Sequence, residues 1–502
     1  MPVRIEVAVR RGTPGIHASG LPAASARATA ERVRAAAAAL GRRIPGLRVT
    51  VNLAPADLPK DGAAFDLPIA AAILARRGAD VDRRLARTAL VGELGLSGVV
   101  RPVRGVLAFA LHAAGDAGID TLVVPRAGLS ELAGLHEGRL RIFGASDLGA
   151  VLSWLEEGAP LARPPRAPPP APATNHPDLS DVRGQSAARR ALEIAAAGGH
   201  HLLLSGEPGA GKTMLANRLP GLLPPLTAAE AVETMMVHGI ASGAAAGEAA
   251  RVARPFRAPH HTVTAAGLLG GGSSPAPGEV SLAHRGVLFL DELQAFRASV
   301  LEGLRAPLEQ GCVRIVRART VASFPARFQL VAAMNPCPCG YRTSGTGRCV
   351  CDEGAVRRYV GRISGPLLDR FDLRLEVPAV PWRDMRPGAD GGERTAAVRD
   401  RVRNARERAR RRAARLSSAG ACAALCNAEL PGPALAEACR LTAGAEALLG
   451  EAAERLPLGG RAQHRVLRVA RTVADLAGSG RVEAGHVAEA LHFRGGAPVV
   501  GG

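Results

Sequence analysis

Lys212 stands in a setting where a lysine has defined chemistry. The run is Gly206-Glu-Pro-Gly-Ala-Gly-Lys212-Thr213, with a short apolar segment, His201–Ser205, before it and a helical Met214–Leu219 pattern after it. This is GxxxxGK[ST] between a strand and a helix, the pattern of a phosphate-binding loop. Gly206, Gly209 and Gly211 let the loop turn its backbone N–H groups toward phosphate oxygens, with Glu207, Pro208 and Ala210 between them. The helix N-terminus adds a favourable dipole. Lys212 would place a compact cation at the β- and γ-phosphates of ATP, and the Thr213 hydroxyl would ligate Mg²⁺. Further on, Val287–Leu290 is an apolar run that ends in Asp291 and Glu292. Such a parallel strand is expected to emerge beside the loop, with Asp291 holding Mg²⁺ and Glu292 acting as general base on the attacking water. A third strand, Phe328–Asn335, ends on Asn335, which can hydrogen-bond that water or the γ-phosphate.

A second kind of chemistry sits two residues beyond Asn335. Cys337-x-Cys339 and Cys349-x-Cys351 are two thiol pairs separated by nine residues. Four soft ligands on a Gly-rich loop can converge tetrahedrally on Zn²⁺, and structural zinc is the expectation. Inert thiols, an Fe–S cluster or redox chemistry are the alternatives. Cys422, Cys426 and Cys439 lack ligand spacing and read as helix packing. His260-His261 could suggest another metal, but no acid or thiol is near in sequence, so loop hydrogen bonding is the favoured reading.

The elements that must position these groups follow from the wider pattern. The chain has 502 residues and a formal net charge of +19. Lys60 and Lys212 are its only lysines, so arginine supplies the other 62 of the 64 cations. That bias looks like drift toward Ala, Gly and Arg, which weakens the charge as evidence for nucleic acid. It also makes a retained lysine informative, because arginine replaces a compact point charge poorly. Hydrophobic content of 47% excludes global disorder. No apolar run approaches the roughly 20 residues of a membrane span, and Met1–Glu6 lacks a signal-peptide core. A soluble cytoplasmic protein with no membrane partner is expected.

Residues 1–155 alternate strands (Val3–Val9, Leu47–Leu53, Leu122–Val124) with Ala-rich helices (Ala23–Leu40, Asp66–Ala75, Val106–Ala114), an α+β domain. The Pro-rich stretch 156–177 reads as a semi-rigid linker. Residues 178–383 read as an α/β core. From 384 to 502 the pattern is helical: Glu393–Leu416, Ala434–Leu449, Arg461–Leu476 and Ala484–His492.

Taken together, the chain resembles the ComM/YifB family of magnesium-chelatase-like AAA+ ATPases. The resemblance rests on Asp181-Val-Arg-Gly-Gln185, Pro255-Phe-Arg-Ala-Pro-His-His-Thr262, Gly286–Leu293, Met334-Asn-Pro-Cys-Pro-Cys-Gly340, the Gly365–Asp372 segment and Arg465–Thr472. It implies a P-loop ATPase core with a C-terminal helical lid, working as a homo-oligomer, usually a hexamer. It implies that Arg370 acts in trans as an arginine finger and that Arg461 is the sensor-2 arginine in cis, with Arg465 the alternative. The family shows the same four-cysteine element. The resemblance points to a motor on single-stranded or branched DNA, a helicase or branch-migration factor in recombination or natural transformation. A magnesium-chelatase motor subunit is one alternative; such subunits normally lack both the N-terminal domain and the cysteines. A regulated protease and a nucleotide-switched assembly protein are the others, and Glu292 with Arg370 argues against the last.

The N-terminal segments Pro59–Asp66 and Gly92–Gly105 resemble the Lon protease domain, a ribosomal S5 domain 2-like fold. Lon-type proteases activate a serine with a lysine. Here the serine position falls on Ala64, and there is no lysine around Leu107, which implies a proteolytically inactive domain. Lys60 is expected to be structural, pairing an acid in its loop. The family usually has a further strand upstream, whereas Met1 leads directly into what reads as the second strand.

Two basic regions could meet DNA. Val313–Phe324 alternates apolar and basic residues as a hairpin would, with Arg314, Arg317 and Arg319 on it. Related ATPases carry a loop toward the pore at Gly267–Ser274. Glu393–Leu416 holds ten arginines against three acids, and a helix so basic is expected to present its charges outward.

Overall fold

The computed structural model describes residues 3–44, 46–55, 60, 63–133, 139–165, 176–242, 253–272, 275–317, 320–345, 347–386, 392–418, 426–456 and 458–495. They divide into two compact units. One comprises residues 1–172, 231–252 and 316–322; the other comprises 173–230, 253–315 and 323–502.

The second unit is built on a fully parallel five-stranded sheet. Its strands, in chain order, are β1 (Leu202–Gly206), β2 (Phe256–Arg257), β3 (Val287–Leu290), β4 (Gln329–Met334) and β5 (Leu373–Val377). Their spatial order is β2-β3-β4-β1-β5. β1, β3 and β4 are buried along their whole length, which explains why they read as continuous apolar runs. β4 lies between β3 and β1, so the strand that carries Asp291 is one strand removed from the P-loop strand. Strand order is decided by pairing across the chain, which the local apolar pattern does not encode.

The C-terminal residues are helical, as the sequence suggests: Thr395–Ser418, Gly460–Ala477 and Ala484–Gly495. The single helix expected over Ala434–Leu449 is instead two, Gly432–Cys439 and Ala443–Arg455. Arg440 ends the first in the left-handed region at φ +46°, and the Thr442 side chain caps the second by accepting from the Ala445 N–H. These helices share one core with the sheet, through Val398, Val402, Val469 and Val473 against Leu202, Leu204 and Leu375.

The basic helix also departs from expectation. Four of its arginines are engaged inward. Arg401 meets Glu193 at 2.5 Å and Glu393 at 2.6 Å, and Arg406 donates to the Ala196 carbonyl at 2.8 Å. Arg408 donates to the Asp475 carbonyl at 2.7 Å, and Arg412 meets the Asp475 carboxylate at 2.5 Å. Buried carboxylates and helix-end carbonyls of neighbouring helices absorb charge that sequence alone assigns to solvent. The Val313–Phe324 hairpin forms as Cys312–Arg317 and Thr320–Pro325, with Arg314 exposed; Arg319 lies outside the described residues, as do Ser273 and Ser274.

The first unit holds two three-stranded sheets. In one, Arg48–Ala54 pairs antiparallel with Arg4–Arg10 and parallel with Gly15–Ser19. In the other, Thr121–Pro125 lies between Thr88–Leu90 and Arg141–Ala145, all parallel. The expected helices appear as Ala23–Ala39, Asp66–Leu74 and Val106–Gly115. Asp66 is fully buried, and Arg32 at 2.6 Å and Thr29 at 2.8 Å satisfy it. Leu107 is buried in an apolar cluster with Val91, Val106 and Leu122, and Ala64 packs against the same cluster. Lys60 is buried and donates to the Pro55 carbonyl. Among the described residues, no helix is long and apolar enough to cross a membrane.

Candidate nucleotide site and cysteine centre

The C-terminal ends of β1, β3 and β4 bring the predicted groups together. After β1 the loop turns through Gly211, at φ +89°, into the helix that begins at Lys212. Lys212 is buried, and its ammonium donates to the carbonyls of Gly206 (2.7 Å) and Glu207 (2.8 Å) and to Asn335 Oδ1 (3.1 Å). Burial pulls its pKa below the usual lysine value, while Asp291, Glu207 and Glu292 pull the other way. Thr213 donates its hydroxyl to Asp291 Oδ2 at 2.7 Å, so the two groups expected at Mg²⁺ are already paired. Chain positions 78 residues apart thus meet across the intervening strand.

Glu292 follows on β3 with φ +50° and ψ +51°, left-handed for a residue with a side chain. Such backbone costs of order 1–3 kcal/mol and persists where surroundings over-determine it. Its N–H donates to Asp291 Oδ1 at 2.9 Å, and its side chain stays 61% exposed. His261 is the functional neighbour that sequence reading missed. Its Nδ1 lies 3.8 Å from Glu292 Oε2, and its ring stands edge-on to Phe296. His260 takes the part expected of both, bonding Thr262 Oγ1 at 2.9 Å. The signal was in the sheet register: β2 pairs with β3 as Phe256↔Val287, and the same offset carries His261 to Glu292.

Gln185 also reaches the loop, donating to the Ala210 carbonyl at 3.4 Å and to Pro378 O at 2.5 Å. Arg370 and Arg461 are not brought to the P-loop within this chain. The Arg370 guanidinium meets Glu309, and burial together with Arg465, Arg461 and Arg305 lowers its pKa. Arg461 is exposed. Arg465 is buried, 3.8 Å from Asp372, whose other oxygen is 3.2 Å from His200. His200 continues to Thr472 at 2.8 Å, giving a buried polar chain from the Gly365–Asp372 segment to the helix Gly460–Ala477.

The four cysteines converge. Cys337, Cys339 and Cys349 place their sulfurs 3.3, 3.7 and 3.6 Å apart, and all four sulfurs, including Cys351, fall within 4.8 Å of one another. A tetrahedral zinc with Zn–S of about 2.3 Å needs sulfurs about 3.8 Å apart, so the donor set fits. Backbone N–H groups of Tyr341 and Val350 hold the Cys339 thiol down to about 6, whereas burial and the neighbouring sulfurs push the Cys349 thiol up and the Cys351 thiol up to about 12. Cys439 is buried, and burial pushes its thiol up to about 11, as packing would. Cys426 behaves likewise at about 12. Cys422 lies outside the described residues.

A parallel β2-β3-β4-β1-β5 sheet, a P-loop between β1 and a helix, and carboxylates at the end of β3 define a magnesium-chelatase-like AAA+ protein. A model of the family described as magnesium chelatase, subunit ChlI, matches residues 178–385, one described as subunit ChlI of Mg-chelatase matches 5–128, and one described as magnesium chelatase, subunit ChlI C-terminal, matches 392–494. The chain is 42% identical over 496 residues to the competence protein ComM of Haemophilus influenzae, covering 98% of this chain and 94% of that one. It is 41% identical over 493 residues to the uncharacterized protein YifB of Escherichia coli, with coverage of 98% and 94%. An uncharacterized protein of Mycobacterium tuberculosis is 46% identical over 497 residues, with coverage of 98% and 95%. The chain belongs to the ComM/YifB family.

Proposed function

We propose that the protein is an ATP-hydrolysing ring motor, a hexamer, that acts on single-stranded or branched DNA. The observation that carries the ATPase reading is the convergence of Lys212, Thr213, Asp291 and Asn335 at one sheet edge. Lys212 binds the β- and γ-phosphates in place of its present carbonyl partners. Thr213 and Asp291 hold Mg²⁺, and Glu292, oriented by its backbone, takes the proton of the attacking water. Asn335 fixes the γ-phosphate side. Arg370 serves a neighbouring subunit as the finger, leaving Glu309 to do so, and Arg461 closes the lid in cis.

Support for the DNA arm is the name of the relative ComM, a competence protein. The inward use of four lid arginines leaves Arg314 and the exposed face of the basic helix as the basic surface for it. We assign residues 1–155 to a Lon-like domain without protease activity, 156–177 to a linker, 178–383 to the ATPase core and 384–502 to the lid. The apolar surroundings of Ala64 and Leu107 support the inactive reading. A magnesium-chelatase motor subunit is the second reading, favoured by the family description of the matching models.

The test is ATP turnover with and without single-stranded, duplex and four-way-junction DNA, and with metal-free porphyrin. Stimulation by branched or single-stranded DNA is expected. Stimulation by porphyrin alone would move the protein to the second reading.

A further inference from the structure

The cysteine loop touches the nucleotide loop at two separate points. One is through the chain: Cys337 follows Asn335 by two residues, and Asn335 accepts from Lys212 at 3.1 Å. The other is steric. Gly340 closes the turn after Cys339 at φ +87°, and its N–H donates to the Cys337 carbonyl at 3.0 Å. A Cβ at Gly340 would lie 2.6 Å from Cδ and 2.8 Å from Cγ of Pro208. The backbone of the thiol turn is therefore packed directly against the side of the P-loop, where a methyl group has no room.

We infer that the four-cysteine centre is a strut for the P-loop, so that metal occupancy and nucleotide binding are energetically linked. This rests on reading the cluster as a zinc site and the loop as an ATP site. The physical argument is loop closure. Four thiolate ligands tie Cys337–Cys339 to Cys349–Cys351 across nine residues, and that closure sets where Gly340 and Asn335 stand. Without the metal no ligand bond ties the sulfurs, 3.3–3.7 Å apart, across the loop, and the turn is free to open. Pro208 then loses its wall and Lys212 its amide partner. Linkage is reciprocal: whatever factor the metal contributes to nucleotide affinity, the nucleotide contributes to metal affinity.

The experiment uses the full-length protein and three measurements. Zinc content is measured by elemental analysis. ADP and non-hydrolysable ATP affinities are measured for zinc-loaded and chelator-stripped protein, with circular dichroism recording that the stripped form stays folded. Zinc affinity is measured by competition with a chromogenic chelator, with and without ADP. Zinc is expected to tighten nucleotide binding within the roughly 5–150-fold range of allosteric coupling, and ADP to tighten zinc by the same factor. Gly340→Ala provides a variant with all four cysteines intact. It is expected to bind zinc stoichiometrically and to lose about 10-fold in nucleotide affinity.

Each failure has its own signature. A protein that neither contains nor takes up zinc overturns the inference together with the zinc reading. A zinc-loaded protein that binds no nucleotide overturns it together with the ATP-site reading. Zinc and nucleotide that both bind, with affinities independent of each other and Gly340→Ala indistinguishable from wild type, overturn the strut alone. Unfolding on zinc removal leaves the decision to Gly340→Ala and to the effect of ADP on zinc affinity.

Discussion

Two places in this molecule are filled in opposite ways. At the ends of β1, β3 and β4, a buried ammonium, a hydroxyl, a carboxylate and an amide converge. Around Ala64 and Leu107 the N-terminal unit is apolar. The difference is informative because burying an ammonium costs several kcal/mol unless its partners compensate. In a chain with two lysines against 62 arginines, this lysine is buried despite that cost. Where no reaction requires polar groups, apolar packing replaces them. Lys60 sharpens the contrast: it is as buried as Lys212, and it donates to the Pro55 carbonyl of its own loop.

The largest effect expected from breaking this comparison comes from Arg370. On the proposed ring assembly, Arg370→Ala in every subunit should lower turnover by about 10³–10⁵, the range for arginine fingers. Doping the variant into wild-type rings should lower activity more than proportionally. Strictly proportional loss in a mixing titration would place Arg370 outside a shared site.

The two lysines offer the next test. Lys212→Arg should weaken ATP binding by about 10–100-fold, since a planar fork cannot replace a point charge hemmed by two carbonyls and an amide. Lys60→Arg should leave turnover within about twofold and cost about 1–3 kcal/mol of stability from overpacking. Isothermal titration and thermal melts distinguish them; equal loss of ATP affinity in both would dissolve the contrast.

His261→Ala should lower kcat only a few-fold with KM little changed, because its ring stands 3.8 Å from a Glu292 already oriented by its backbone. A change in KM alone would make His261 a binding residue. The smallest effect belongs to the apolar site. Ala64→Ser should yield no peptide hydrolysis, since Leu107 supplies no base. Cleavage of an unfolded substrate by this variant would show that a base had been overlooked.

How much of this was legible in the sequence depended on how local the signal was. The P-loop, the Asp291–Glu292 strand end and the paired cysteines are contiguous patterns, and residue type and spacing alone name their chemistry. The helix break at Arg440 was half-legible: Thr442 is a good cap, but continuing alanines masked it. What depends on pairing between distant segments was not legible. The insertion of β4 between β3 and β1 is one case, and His261 facing Glu292 is another, since the offset appears only once β2 is known to pair with β3. The lid arginines are a third. Composition assigned them to the surface, whereas the carboxylate of Asp475 and the carbonyl of Ala196 drew them inward. The packing of Gly340 on Pro208 was equally invisible, because a glycine announces freedom of backbone and not what presses on it.

The polar convergence at the sheet edge is proposed as a working hydrolytic site with Glu292 as its base. ATP turnover by wild-type protein and Glu292→Gln, with Mg²⁺-ATP affinity measured in parallel, tests it most directly. The variant is expected to bind ATP within about twofold of wild type and to turn it over about 10²–10⁴ more slowly. Turnover by Glu292→Gln at the wild-type rate would contradict it.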